Sequence, residues 1–151
     1  MNYKVVGKFI SQILAVEAAF MLPALIISAA CQNLNAVIGF IVSIVIILGI
    51  ASLLYVLCRK ANKRFFAKEG LVSVGIGWIV LSILGCLPFF ISREIPSFVD
   101  ALFETVSGFT TTGASILTDV EAMSKGMLYW RSFSHWLGDG CPCIFTCHCT
   151  G

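Results

Sequence analysis

Residues 108–115 read Gly-Phe-Thr-Thr-Thr-Gly-Ala-Ser, a run of three hydroxyls closed by a glycine. Backbone carbonyls and hydroxyls in such a run are the oxygen ligands that replace the water shell of a dehydrated monovalent cation. Thr110, Thr111 and Thr112 supply the oxygens, and Gly113 permits backbone angles that a side chain resists. Taken alone, the segment also fits a polar extracellular turn, so its setting has to decide. No nucleotide-binding loop, catalytic triad or paired-acid site accompanies it, and neither an enzyme nor an organic cofactor is expected.

The setting is a membrane. Of 151 residues, 58% are hydrophobic and 12% charged, and the mean hydropathy is +0.95. A soluble domain keeps far more charge on its surface. Three segments exceed or match the roughly 20 residues that cross the hydrocarbon core: Ile10–Ala30, which contains Glu17 and Pro23, and the uncharged Ala36–Cys58 and Gly70–Ser92. The first is too long and too interrupted for a cleavable signal peptide and is expected to be retained. The fold class expected is therefore all-α integral membrane.

Charge placement orients the spans. Lys4 and Lys8 precede the first; Arg59, Lys60, Lys63, Arg64 and Lys68 fill the loop between the second and third; Cys31–Asn35 carries no basic residue. The positive-inside bias puts the amino terminus and the basic loop in the cytoplasm. There the loop also meets anionic lipid. Juxtamembrane lysines and arginines are the norm in such proteins, so no nucleic-acid partner is expected.

The third span then reaches the outer surface near Pro88–Ser92. Beyond it, Ser97-Phe-Val-Asp100 has the spacing of an amino-terminal cap, and Phe98, Ala101, Leu102, Thr105 and Val106 recur at helical spacing. The helix so defined, Ser97–Phe109, is about 13 residues or roughly 20 Å long, too short to cross. It enters from outside and stops, aiming the partial negative charge of its carboxyl end at the membrane interior. Non-helical backbone at that depth, Thr110–Ser115, survives only against protein or a water-filled path. With Trp130-Arg-Ser-Phe-Ser-His-Trp136 opening another helix, the parse is helix, pore helix, filter, helix.

The stretch Asp100-Ala-Leu-Phe-Glu-Thr-Val-Ser-Gly-Phe-Thr-Thr-Thr-Gly-Ala-Ser115, followed by Tyr129-Trp-Arg-Ser-Phe-Ser-His-Trp-Leu-Gly138, closely resembles the first pore repeat of the Trk-type potassium uptake proteins, the TrkH/TrkG branch. The resemblance runs from Met1 to about Gly138. It implies two leading transmembrane helices within 1–58, a basic cytoplasmic loop at 59–69, and the first pore repeat at 70–138. The family has four such repeats, and one filter glycine from each surrounds the potassium ion. Gly113 is then the filter glycine of this repeat, and Thr111 and Thr112 are its foremost potassium-coordinating positions. The resemblance further implies a bacterial inner-membrane location, a cytoplasmic nucleotide-binding regulatory subunit as partner, and a homodimer. The related KtrB branch usually lacks the leading pair and fits less well.

Past Gly138 the resemblance stops, and residues 139–151 hold four of the seven cysteines. One reading is a small membrane protein whose Cys141, Cys143, Cys147, His148 and Cys149 bind a metal or a partner, although their spacing matches no common zinc arrangement. Another is a shifted reading frame. With permitted codons, the tail read one base later gives Met-Gly-Val-Leu-Val-Phe-Leu-Leu-Ala, the apolar helix that the family has there. The expectation is a truncated fragment of a pore-forming subunit, inactive alone.

Other residues carry less. Glu17 is either a functional intramembrane acid or a side chain that snorkels or pairs within the bundle. Glu104 adds negative potential near an ion path, pairs with Arg131 or caps a neighbouring element. Asp119 and Glu121 make the outer mouth acidic, and His135 packs between helices. Cys31, Cys58 and Cys86 are scattered thiols with no disulfide framework.

Overall fold

The computed structural model describes residues 3–59, 67–117 and 123–150. They form six helices: α1 (Tyr3–Ala30), α2 (Leu34–Cys58), α3 (Ala67–Gly85), α4 (Leu87–Ile91), α5 (Phe98–Phe109) and α6 (Lys125–Thr150), with no strand among the described residues. Lys60, Lys63, Arg64, Asp119 and Glu121 lie outside them, as do the side chains of Lys68 and of the tail cysteines and histidine. Three stretches are long and apolar enough to span a bilayer: Val6–Ala30, Leu34–Cys58 and Val72–Ile91. These coincide with the three expected spans to within a turn at each end.

The third span differs from expectation in one respect. It is broken at Cys86 into α3 and α4 rather than running as one helix. Pro88, near the start of α4, has no N–H to give Leu84 and its ring crowds the preceding turn. Pro23, by contrast, is absorbed inside α1, which continues through it.

Helix α1 is the hub, packing against α2, α3 and α6. Its line of Ile10, Leu14, Ala18, Met21 and Ala24 is fully buried, the spacing of one helix face. Helix α2 is apolar all round. One side, with Ala36, Phe40, Ser43, Ile47 and Ala51, is buried, while Val45 and Val56 are 65% and 68% exposed. That outer side faces lipid, where an exposed valine costs nothing. Gly39 brings α2 against α4: a methyl group there would lie 3.1 Å from the Pro88 carbonyl and 3.3 Å from Ser92.

Buried hydroxyls return their hydrogens to their own helices. Ser43 donates to the Gly39 carbonyl at 2.7 Å, Ser82 to Trp78 at 2.8 Å, and Thr105 to Ala101 at 2.8 Å. In a medium without water this local bonding is how a serine or threonine remains satisfied.

Three non-glycine residues have left-handed backbone: Gln32 (φ 55), Arg93 (φ 59) and Thr111 (φ 55). All three sit two residues beyond the last residue of a helix, α1, α4 and α5. At Gln32 the pattern is complete, with Gln32 N–H donating to Ala29 O at 3.1 Å and Asn33 N–H to Ser28 O at 3.2 Å. This is the Schellman closure, which uses the last free carbonyls of the helix.

Candidate functional site

Helix α5 is built as expected. The Asp100 N–H donates to Ser97 Oγ at 3.4 Å, and Ser97 is the residue before the first helical one. At 12 residues the helix is about 18 Å long and cannot span. Ala101, Glu104, Thr105 and Gly108 form its buried face, while Val99, Phe103 and Val106 are exposed.

The candidate site lies at its carboxyl end. Thr111 N–H donates to Gly108 O at 3.0 Å and Thr112 N–H to Ser107 O at 3.0 Å, so a second complete Schellman closure turns the helix into the threonine run. The Thr110 hydroxyl donates to Val106 O at 2.7 Å and lies 2.9 Å from the Thr112 hydroxyl. Among the described residues, the carbonyls of Thr110, Thr111 and Thr112 accept no hydrogen bond, and residues 110–116 are all exposed. Gly113 has φ +74, and a methyl group there would meet nothing within 4 Å. The glycine is thus required by its backbone angle, not by a shortage of space.

A layer of polar contacts holds this loop from behind. Ser107 Oγ donates to Ala114 O at 2.5 Å. The Glu104 carboxylate accepts from Ser115 Oγ and from the Ile116 N–H, each at 3.2 Å. Its other partner is Arg131 on α6, whose Nε donates to Oε1 in a direct ion pair. The Glu104 side chain is 1% exposed and that of Arg131 17%. Of the roles considered for Glu104, the structure realises the pairing with Arg131 and adds the tether to the loop. Its charge is neutralised at the back of the loop and does not face the open side.

Helix α6 presses on the same region through two close approaches. A methyl group at Gly108 would collide with Ser134 Oγ, and one at Gly138 would collide with the Phe109 carbonyl and lie 3.1 Å from Thr111 Cγ2. Arg131, Ser134 and Gly138 fall at i, i+3 and i+7, one face of α6. Sequence reasoning passed over Ser107, Gly108, Ser115, Ser134 and Gly138 in this role. For Ser134 and Gly138, their i+3 and i+7 spacing from Arg131 on α6 was the signal available.

Behind the helix end lies the α3–α4 corner. Trp130 Nε1 donates to Gly85 O at 3.0 Å. A methyl group at Gly85 would lie 2.9 Å from Glu17 Oε1, 2.9 Å from Phe109 and 3.2 Å from Thr105. Glu17 is 1% exposed and neither of its oxygens has a hydrogen-bond partner among the described residues. It does not snorkel; it is packed between α1, the corner and the base of α5. His135 is half-buried on α6, and no group of three or more metal-ligating side chains occurs among the described residues.

Comparison with known proteins gives this all-helical membrane unit, with its short half-span and oxygen-rich loop, a family. Residues 34–145 match TrkH, a family described as cation transport protein. The chain belongs to the TrkH family. It is 30% identical over 139 residues to the Trk system potassium uptake protein TrkH of Halomonas elongata, covering 91% of this chain and 29% of that one. It is 38% identical over 93 residues to TrkH of Escherichia coli, 60% of this chain and 19% of that one. An uncharacterized cation transporter of Methanocaldococcus jannaschii is 35% identical over 85 residues, 56% of this chain and 18% of that one. The chain thus spans less than a third of the length of these curated relatives. The alternative of a separate Cys/His metal tail is not favoured by them.

Proposed function

We propose that this chain is part of the pore-forming subunit of a potassium uptake system, and that Thr110–Gly113 forms one wall of its selectivity filter. The observation that carries this is the set of carbonyls at Thr110, Thr111 and Thr112, unengaged among the described residues and held in an exposed loop at the carboxyl end of a helix too short to cross. Carbonyl oxygens on a backed but open loop replace ion hydration. The partial negative charge at the end of α5 adds a favourable potential for a cation. Thr111 and Thr112 are the coordinating positions, Gly113 the glycine that sets the turn, and Glu104 and Arg131 the pair that fixes the loop.

One loop leaves most of an ion's coordination shell unfilled, and removing water without replacement is prohibitive in a low-dielectric path. The site therefore works with further loops of the same kind, and the chain on its own conducts no potassium. The protein is a multi-pass protein of the bacterial inner membrane with its amino terminus in the cytoplasm. Its relatives' names support a Trk-type system; a cytoplasmic nucleotide-binding regulatory subunit and a second copy are the partners that the family resemblance implies.

A chimera tests the reading. Residues 34–138 replace the matching segment of Escherichia coli TrkH, and potassium-limited growth is measured in cells lacking other uptake. The chimera restores growth, and Gly113→Ser within it abolishes growth or potassium selectivity, while Ser124→Ala does neither. Equal effects of the two substitutions would remove the filter assignment.

A further inference from the structure

We propose that the groove between α1 and α2, at their Lys8 and Arg59 end, is a binding site for one anionic phospholipid. The groove has a volume of about 350 Å³ and is lined by residues of both helices, among them Gln12, Ala15, Leu48, Ser52 and Tyr55. Its surface is almost wholly apolar. Gln12 and Tyr55 lie toward the Lys8 and Arg59 end, with Ala15 one turn and Leu48 two turns deeper into the span.

Helical spacing places a cation at each side of the polar end. Lys8 stands four residues before Gln12 on α1, and Arg59 four residues after Tyr55, at the carboxyl end of α2. Residues four apart share a face, so both cations sit one turn above the groove. The helices close tightly just there: a methyl group at Gly7 would press on Cys58 Sγ. Lys8 and Arg59 are accordingly held near each other by the backbone, not by chance side-chain reach.

Neither charge has an acidic partner among the described residues. The ion pair found among the described residues is Arg131 with Glu104, and the acid of α1 and α2 is Glu17, buried more than two turns deeper. Two facing cations without an acid call for an anion. A phosphodiester supplies it, the Gln12 amide and Tyr55 hydroxyl are placed for the glycerol and ester oxygens, and Ala15 and Leu48 offer a channel for an acyl chain. A free phosphate would leave that apolar channel empty. A cationic pair at a membrane surface also draws anionic lipid preferentially.

This reading rests on α1 and α2 lying in a membrane and is independent of the ion pathway. The test is native mass spectrometry of the purified chain, released from neutral detergent after addition of phosphatidylglycerol or phosphatidylcholine. Phosphatidylglycerol is retained in preference. Lys8→Gln with Arg59→Gln weakens its retention about 10- to 30-fold, the worth of two juxtamembrane cations. Lys125→Gln, on another helix, leaves it unchanged. Ala15→Trp, which fills the channel from an exposed position and keeps both charges, also lowers retention. Equal retention of the two lipids, or a preference surviving the double substitution, overturns the proposal. Ala15→Trp without effect would reduce it to unlocalised charge attraction, and displacement by excess inorganic phosphate would make it a small-anion site.

Discussion

Arg131 and Glu104 join the helix after the threonine loop to the helix before it, and the loop hangs from the same carboxylate through Ser115 and Ile116. Two helices and the loop between them thus share one buried charge. Truncating one partner of such a pair leaves the other uncompensated, at roughly 3–5 kcal/mol where burial is complete.

The two partners are not equivalent. Arg131→Gln strands a carboxylate that is 1% exposed, whereas Glu104→Gln strands a guanidinium that is 17% exposed and can reach polar surroundings. Arg131→Gln is therefore expected to lower the thermal unfolding temperature of the detergent-solubilised chain more than Glu104→Gln. The reverse order would mean that Glu104 is held chiefly by the loop.

Glycine substitutions separate backbone angle from space. Gly138→Ala drives a methyl group into the Phe109 carbonyl and Gly108→Ala into Ser134, overpacking worth about 1–3 kcal/mol each. Gly113→Ala meets no atom but strains a left-handed residue, at about 1–2 kcal/mol. Gly49→Ala, with open space in α2, gains up to about 1 kcal/mol of helix propensity. Unfolding measurements on the four variants should rank them so; a harmless Gly138→Ala would show that α6 does not press on the loop.

Glu17 is expected to tolerate neutralisation. A buried carboxyl without a hydrogen-bond partner among the described residues costs free energy whether or not it is charged, and glutamine keeps its shape with no charge to bury. Glu17→Gln should leave the unfolding temperature unchanged or higher. A marked loss would reveal that the carboxylate has a partner of its own.

Orientation can be read from native Cys31, exposed in the loop between α1 and α2. A membrane-impermeant maleimide applied to intact cells should label it and should miss a cysteine placed at Asn62. The opposite pattern would put the threonine loop on the inner side.

The three spans, the short helix and its cap were legible in the sequence, because run length, charge and Ser97-to-Asp100 spacing are local signals. The threonine loop was legible as a non-helical, glycine-closed stretch for the same reason. What backs it was legible only in part. The pairing of Glu104 with Arg131, 27 residues along the chain, was one of the roles their charges suggested, whereas the approach of Gly138 to Phe109 had no charge or local spacing to betray it. The break at Cys86 was signalled by Pro88, yet Pro23 gives the same signal in α1 without a break, so tertiary packing decides which proline interrupts.

The turn that ends α5 is made of contacts only three and five residues apart, Thr111 with Gly108 and Thr112 with Ser107. Contacts so close in sequence form on the timescale of helix ends, well before distant segments find one another. The edge proposed to face the ion is therefore shaped while its neighbours along the chain are still unplaced. Building a complete ring then becomes the docking of preformed pieces, and errors of assembly would misplace whole arcs of ligands while leaving the shape of each arc intact.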